Sequence, residues 1–373
     1  MKPIARSDAP GPFAGAPVRI GALAPLTRPG WIDAGRHLLA GLQLAASDVN
    51  ATGGIAGRPL ELVVRDTRGD PQHAAAAVEE FAGLGVAALA GEYHSVVARA
   101  AAARADALGV PFLCASAVLD TLTDRPTDRV ARLAPPQSRS WPIYADVLLR
   151  AGHRRIAVAT EPSAYWNAGA HILREHLAPR GGQVIELDAR ALGPAAVGDA
   201  VVDHGATALL LLVGFPEPAV SIVNAVRRDR RLARVLLGAP AGQPEFATWA
   251  GSLGDQGAAV PFLRYLPARL SPLGARVEAV LRERLAEAPS FVAFEGYDTL
   301  LVLADALRTH GTDRAGLAGA WPHIDVEGTR GRIRFARVPG VDVWQWATAP
   351  IQVVDRDPAR PDRFRVLHPD GKA

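Results

Sequence analysis

The stretch Asn50-Ala51-Thr52-Gly53-Gly54-Ile55-Ala56-Gly57-Arg58-Pro59-Leu60-Glu61-Leu62-Val63-Val64-Arg65-Asp66 constrains this fold more than any other. Before it, Leu38, Leu39, Leu42 and Ala45 share one face of a predicted helix from about 35 to 49. Three glycines then permit the positive φ that a sharp turn after a helix needs. Pro59 opens the apolar run Leu60 to Val64, which reads as a buried parallel strand. A helix tied this closely to such a strand calls for a layered α/β sheet.

The same rhythm runs along most of the chain. Strands are expected at 18–24, 60–65, 86–90 and 110–114. Pro71 starts a helix behind the N-cap Asp70, and Ser95 stands at the start of the next. After Pro135-Pro136 the alternation restarts, with helices near 138–150, 163–177 and 217–228 and strands at 155–159, 183–187, 207–213 and 235–238. Repeated strand–helix units imply parallel sheets with right-handed crossovers. Two such runs in 373 residues imply an α/β protein of two doubly wound, Rossmann-like lobes. Long helices near 272–286 and 290–308 and strand-like segments at 331–336 and 351–354 complete the chain.

Composition narrows the function. With 49% hydrophobic and 21% charged residues the chain reads as globular. Its net charge of +3 rests almost wholly on arginines that stand beside acids, as in Arg227-Arg228-Asp229-Arg230-Arg231, so no nucleic-acid partner is expected. The one cysteine, Cys114, excludes an intramolecular disulfide and sits in an apolar strand as a core thiol. No Gly-x-Ser-x-Gly elbow, phosphate loop or His-Glu-x-x-His occurs, and Gly53 to Gly57 follow a helix, the reverse of a dinucleotide fingerprint. Neither an enzyme activity nor a cofactor or metal is expected. Met1 to Pro12 lack the apolar core of a signal peptide, and no run is long enough to span a bilayer. The chain as written is therefore expected to stay in the cytoplasm.

The Asn50–Asp66 segment and the order of elements around it resemble the N-terminal lobe of the Leu/Ile/Val-binding-protein family, the type I periplasmic solute receptors of ABC transporters. That resemblance covers about residues 18 to 340. It implies a first lobe from 18–135 plus 267–336, a second from 136–266 plus 337–373, and a hinge of three crossovers; residues 1–17, rich in Pro, Gly and Ala, are expected to be disordered. It implies a receptor that closes on an amino acid or related small carboxylate or amide, with an ABC permease as partner and an address outside the cytoplasm. The missing export signal keeps a second reading open, a cytoplasmic ligand sensor of the amide-receptor type.

The resemblance also nominates a site. Ser95 matches a serine whose hydroxyl, with the amides after it, holds a substrate carboxylate; its other reading is a helix cap. Ser116 and Ala117 lie in the next comparable turn, where Val118 stands in place of a family threonine. Tyr165 and Phe215 follow strands of the second lobe, with Trp166 where the family has glycine. Trp31 stands near Ala34, which replaces a cleft tyrosine, and His94 is either a cleft donor or a plain loop residue. The acid that would hold an ammonium is missing from Gly238-Ala239-Pro240-Ala241-Gly242-Gln243. An aromatic wall of Trp31, Tyr93, Tyr165, Trp166 and Phe215 would suit a flatter, less polar ligand than a branched-chain amino acid.

Overall fold

The computed structural model describes residues 15–369. Of the expected disordered segment, 1–14 lie outside the described residues. Residues 15–17 are held: Arg58 donates from Nε to the Ala16 carbonyl at 2.7 Å and from Nη2 to that of Pro17 at 3.4 Å.

In the first lobe, β1 (Val18–Ala24), β2 (Leu60–Asp66), β3 (Ala88–Gly91), β4 (Phe112–Cys114) and β5 (Val130–Arg132) run parallel, in the spatial order β2-β1-β3-β4-β5. Helices α1 (Ile32–Ala51), α2 (Pro71–Gly83) and α3 (Ser95–Ala107) connect them. Asn50 explains why the α1–β2 turn is so compact. Its side chain accepts from the Leu60 amide at 2.7 Å and donates to the Leu60 carbonyl at 2.9 Å, clamping helix end to strand start. Gly53, Gly54 and Gly57 all have positive φ between them.

In the second lobe, β6 (Arg155–Thr160), β7 (Gln183–Asp188), β8 (Ala208–Leu212) and β9 (Leu236–Gly238) form a parallel sheet in the order β7-β6-β8-β9. Helices α4 (Gln137–Arg150), α5 (Ala164–Leu177), α6 (Ala189–Asp203), α7 (Ala219–Arg228) and α8 (Ala247–Leu253) surround it. The sequence pattern does not announce α6. Gly193-Pro194 breaks its periodicity, and Gly193 adopts φ 70° at a kink.

After β10 (Phe262–Arg264) the chain returns to the first lobe through α9 (Pro272–Leu285), α10 (Phe291–His310) and α11 (Arg314–Ala318). Helix α10 is buried along most of its length and lies almost backbone to backbone against α1. A Cβ on Gly41 would sit 1.9 Å from the Ala293 carbonyl oxygen, and one on Gly296 would sit 2.3 Å from that of Leu38. The expected strand 331–336 is divided at Arg334. Its first half, β12 (Gly331–Ile333), pairs with β11 (Val326–Gly328). Its second half opens β13 (Phe335–Arg337), which pairs with β14 (Trp344–Trp346).

Strand β14 corrects the expected assignment of 337–373 to the second lobe. It runs parallel to β5, Trp344 opposite Ala131, and so extends the first sheet to seven strands. The remainder, β15 (Gln352–Asp357) and β16 (Arg360–His368), forms an antiparallel sheet with β10. The chain therefore crosses between lobes three times, at 133–136, 265–271 and 347–351. Buried polar groups tie these crossings together. Gln345 accepts from Arg132 Nε at 2.7 Å and donates to the Ala134 carbonyl at 2.8 Å. Arg330 donates to Asp298 at 2.9 Å and to the Tyr265 carbonyl at 3.3 Å, with its guanidinium 5.0 Å from the Trp346 ring centroid.

Candidate functional site

Ligands of open parallel sheets collect outside the carboxyl ends of strands. Here those ends face one another across the cleft and enclose a cavity of about 350 Å³. Its walls include Trp31, His94, Ser95 and Ser116 from the first lobe and Tyr165, Trp166 and Phe215 from the second. Six of the seven nominated residues are thus brought together. Ala117 is not: it is fully buried in the core around Val97, Cys114 and Leu122, because the turn after β4 points alternate side chains to opposite sides. The same core pushes the Cys114 thiol up to about 11, as burial disfavours thiolate.

Ser95 corrects one local expectation. It does not cap α3; His94 holds the cap position without a side-chain bond. Instead Ser95 Oγ accepts from the amides of Val118 and Leu119, at 3.1 and 3.2 Å. It thereby pins the turn carrying Ser116 and Val118 against the start of α3, and its own hydroxyl hydrogen stays available to the cavity. The positive end of the 13-residue helix α3 opens at the same place. His94 is set by Glu92, whose carboxylate accepts from the Tyr93 and His94 amides at 2.9 and 3.0 Å and from Thr67 at 2.8 Å, with the imidazole Nδ1 3.3 Å away.

The aromatic wall spans both lobes. Trp31 stacks on Phe215 at 5.4 Å and 24°, meets Phe246 at 4.9 Å and takes Tyr93 edge-on at 5.8 Å. Tyr165 packs against Trp166 at 4.6 Å and Trp141 at 6.1 Å, and its amide is received by Ser163, the N-cap of α5. Tyr265 and Phe291, 5.2 Å apart, close the far side. Burial holds the phenols of Tyr93, Tyr165 and Tyr265 well above their ordinary range, so all three present neutral hydroxyls.

The charges follow a consistent pattern. Among the described residues, no Asp, Glu, Lys or Arg lines the cavity. The nearest acids are engaged elsewhere: Glu245 pairs with Arg264 at 2.9 Å and accepts from the Phe291 amide at 3.2 Å. Glu295, fully buried behind Ser116, faces Arg330 at 3.3 Å, and burial lifts its carboxyl to about 7. What the cavity does offer is donors: the Trp31 Nε1, which has no partner, the Ser95 hydroxyl and the phenols.

Sequence reasoning missed Tyr265, Phe291 and Gln243 as wall residues. Tyr265 follows a three-residue strand, too short to register as a period. Phe291 was legible in principle, since Ser290 precedes a strongly apolar helix. Gln243 stood in a turn searched only for an acid.

The periplasmic binding protein family model matches residues 17–341. The Leu/Ile/Val-binding protein BraC3 of Rhizobium johnstonii is 29% identical over 156 residues, which is 41% of this chain and 42% of that protein. The leucine-binding protein LivK of Thermotoga maritima superposes with a TM-score of 0.80 at 21% identity, covering 94% of this chain and 97% of that one. A solute-binding protein of an ABC transporter from R. palustris, solved with benzoate, superposes with a TM-score of 0.78 at 15% identity, covering 96% and 98%. These likenesses share the two-lobed fold, and the family match spans nearly all of it. This chain belongs to the periplasmic binding protein family, with the type I fold of the leucine-binding proteins it resembles.

Proposed function

We propose that this protein is a solute receptor of an ABC transporter that shuts on one small aromatic carboxylate. One observation carries the reading: among the described residues, the interlobe cavity is walled by aromatic rings and hydrogen-bond donors and by no Asp, Glu, Lys or Arg. A flat ring is desolvated between such walls, and a carboxylate can draw on the α3 terminus, the Ser95 hydroxyl and the Trp31 indole N–H. An α-amino acid needs a counter-ion for its ammonium as well, and among the described residues no Asp or Glu lines the cavity. Among the similar structures, the partner of benzoate supports this class, while the leucine-binding protein has the same fold with a different cargo.

Binding is the proposed function, and the shut protein is what the permease would recognise. Calorimetric titration with benzoate, 4-hydroxybenzoate and 3-phenylpropionate, beside leucine and isoleucine, tests the reading. One-to-one binding of at least one aromatic acid, tighter than either amino acid, is the expected result. Tighter binding of leucine or isoleucine than of every aromatic acid would refute it.

A further inference from the structure

Gln243 is the cavity residue whose hydrogen bonding is left incomplete on the second lobe. It is 1% exposed, yet it lines the cavity. Its Nε2 donates to the Val213 carbonyl at 3.3 Å. That bond fixes the orientation of the amide, because the reverse orientation would set two oxygens against each other. Its Oε1 is buried without a partner. A buried acceptor in this state is costly unless something fills it.

The residue is also held rigidly. Arg356 donates to the carbonyls of Pro244, Glu245 and Phe246, at 2.7, 3.1 and 3.1 Å, gripping the turn that carries Gln243. Gly242 enters that turn at φ 88°. An acceptor fixed before the ligand arrives costs little ordering when it is used.

Among the described residues no acid lines the cavity beside Gln243, and the acids close to the wall in sequence or packing are engaged elsewhere. Glu245 is paired with Arg264, Glu295 with Arg330, Glu161 accepts from the Gly214 amide at 2.8 Å, and Glu92 is filled by Thr67 and two amides. The rings do not substitute for a carboxylate. Phe215 and Phe246 pack on Trp31, so its ring is spent on other rings rather than held open for a cation.

We infer that Gln243 determines specificity: its amide oxygen accepts from an uncharged O–H or N–H donor of the bound aromatic carboxylate, and its neutrality bars ligands bearing an ammonium. The inference rests on the aromatic-carboxylate reading above. Two matched comparisons test it separately from that reading. The first sets 3- and 4-hydroxybenzoate against benzoate. The wild type should prefer at least one hydroxylated acid by tenfold or more, and Gln243→Met should cut that preference to within about twofold. The second sets phenylalanine against 3-phenylpropionate, which differ by the ammonium alone. Gln243→Glu should shift their affinity ratio at least tenfold toward phenylalanine. Ratios are read within each variant, so a general loss of stability does not imitate the result, and the neutral Met variant stands if the buried Glu prevents folding. A wild type that binds aromatic acids while Gln243→Met keeps its hydroxyl preference, or Gln243→Glu keeps the ratio, overturns the inference and leaves the parent reading intact. A wild type that binds no aromatic acid, or that binds choline more tightly than any of them, overturns both.

Discussion

At the scale of single residues, Ser95 carries structure and site on one hydroxyl. Its oxygen receives two amides of the Val118 turn, and the residue lines the cavity, where the hydroxyl can still donate. Ser95→Ala therefore strands two buried donors. Denaturant unfolding of the unliganded variant should show a loss of about 1–3 kcal/mol. Unchanged stability with weakened binding would mean that the residue serves the ligand alone. The resemblance pointed to Ser95, but the sequence could not show this double duty. The partner amides lie 23 and 24 residues away and become neighbours only when β3 and β4 pair.

Glu295 makes a second residue-scale prediction. Burial raises its folded pKa to about 7, with Asp298 and Arg330 packed beside it and Ser116 in front. The folded state then holds a proton that the unfolded chain has released at intermediate pH. The stabilisation is complete below the ordinary carboxyl range and is lost as pH rises through about 7. Glu295→Gln removes this dependence. Melting curves of the two proteins should converge near pH 5 and separate by about 1–3 kcal/mol in favour of the variant at pH 8. Parallel pH profiles would show that Glu295 is charged throughout.

At the scale of elements, the long strands and helices were readable because their periods extend over several turns or residue pairs. Strand β1, the glycine turn after α1 and the Asp70 cap follow directly from local chemistry; Asp70 accepts from Gln72 and His73 as an N-cap should. Strands β5, β10 and β14 have three residues each and no period to detect. Strand β14 was also placed with the wrong lobe, because its position is set by Gln345 and Trp344 docking on β5 and not by anything local. The contact of α1 with α10 is likewise invisible in sequence, although the glycines that permit it are plain to see. Gly41→Ala places a methyl group where the Ala293 carbonyl oxygen already is. We expect a loss of about 1–3 kcal/mol or more in equilibrium unfolding. A neutral effect would mean that the two helices separate freely.

At the scale of the whole molecule, the two lobes meet in the shut arrangement. Trp31 of the first lobe stacks on Phe215 of the second, and Thr248 of α8 donates to Asp33 of α1. A ligand that touches both walls favours this state by the difference between its affinities for the shut and open forms. Phe215→Ala removes the interlobe stack on Trp31, together with packing on Trp249 in its own lobe. Calorimetry on that variant should show about tenfold or greater weakening of any aromatic ligand; equal affinity would exclude closure onto Phe215.

The most direct measurement is a diffraction map from crystals grown with the tightest-binding aromatic acid. The account predicts one ligand between the lobes, its ring bounded by Trp31, Tyr165 and Phe215, its carboxylate at the start of α3 and its other polar group at Gln243. Ligand density anywhere outside this cleft, or a carboxylate turned away from α3, would contradict it.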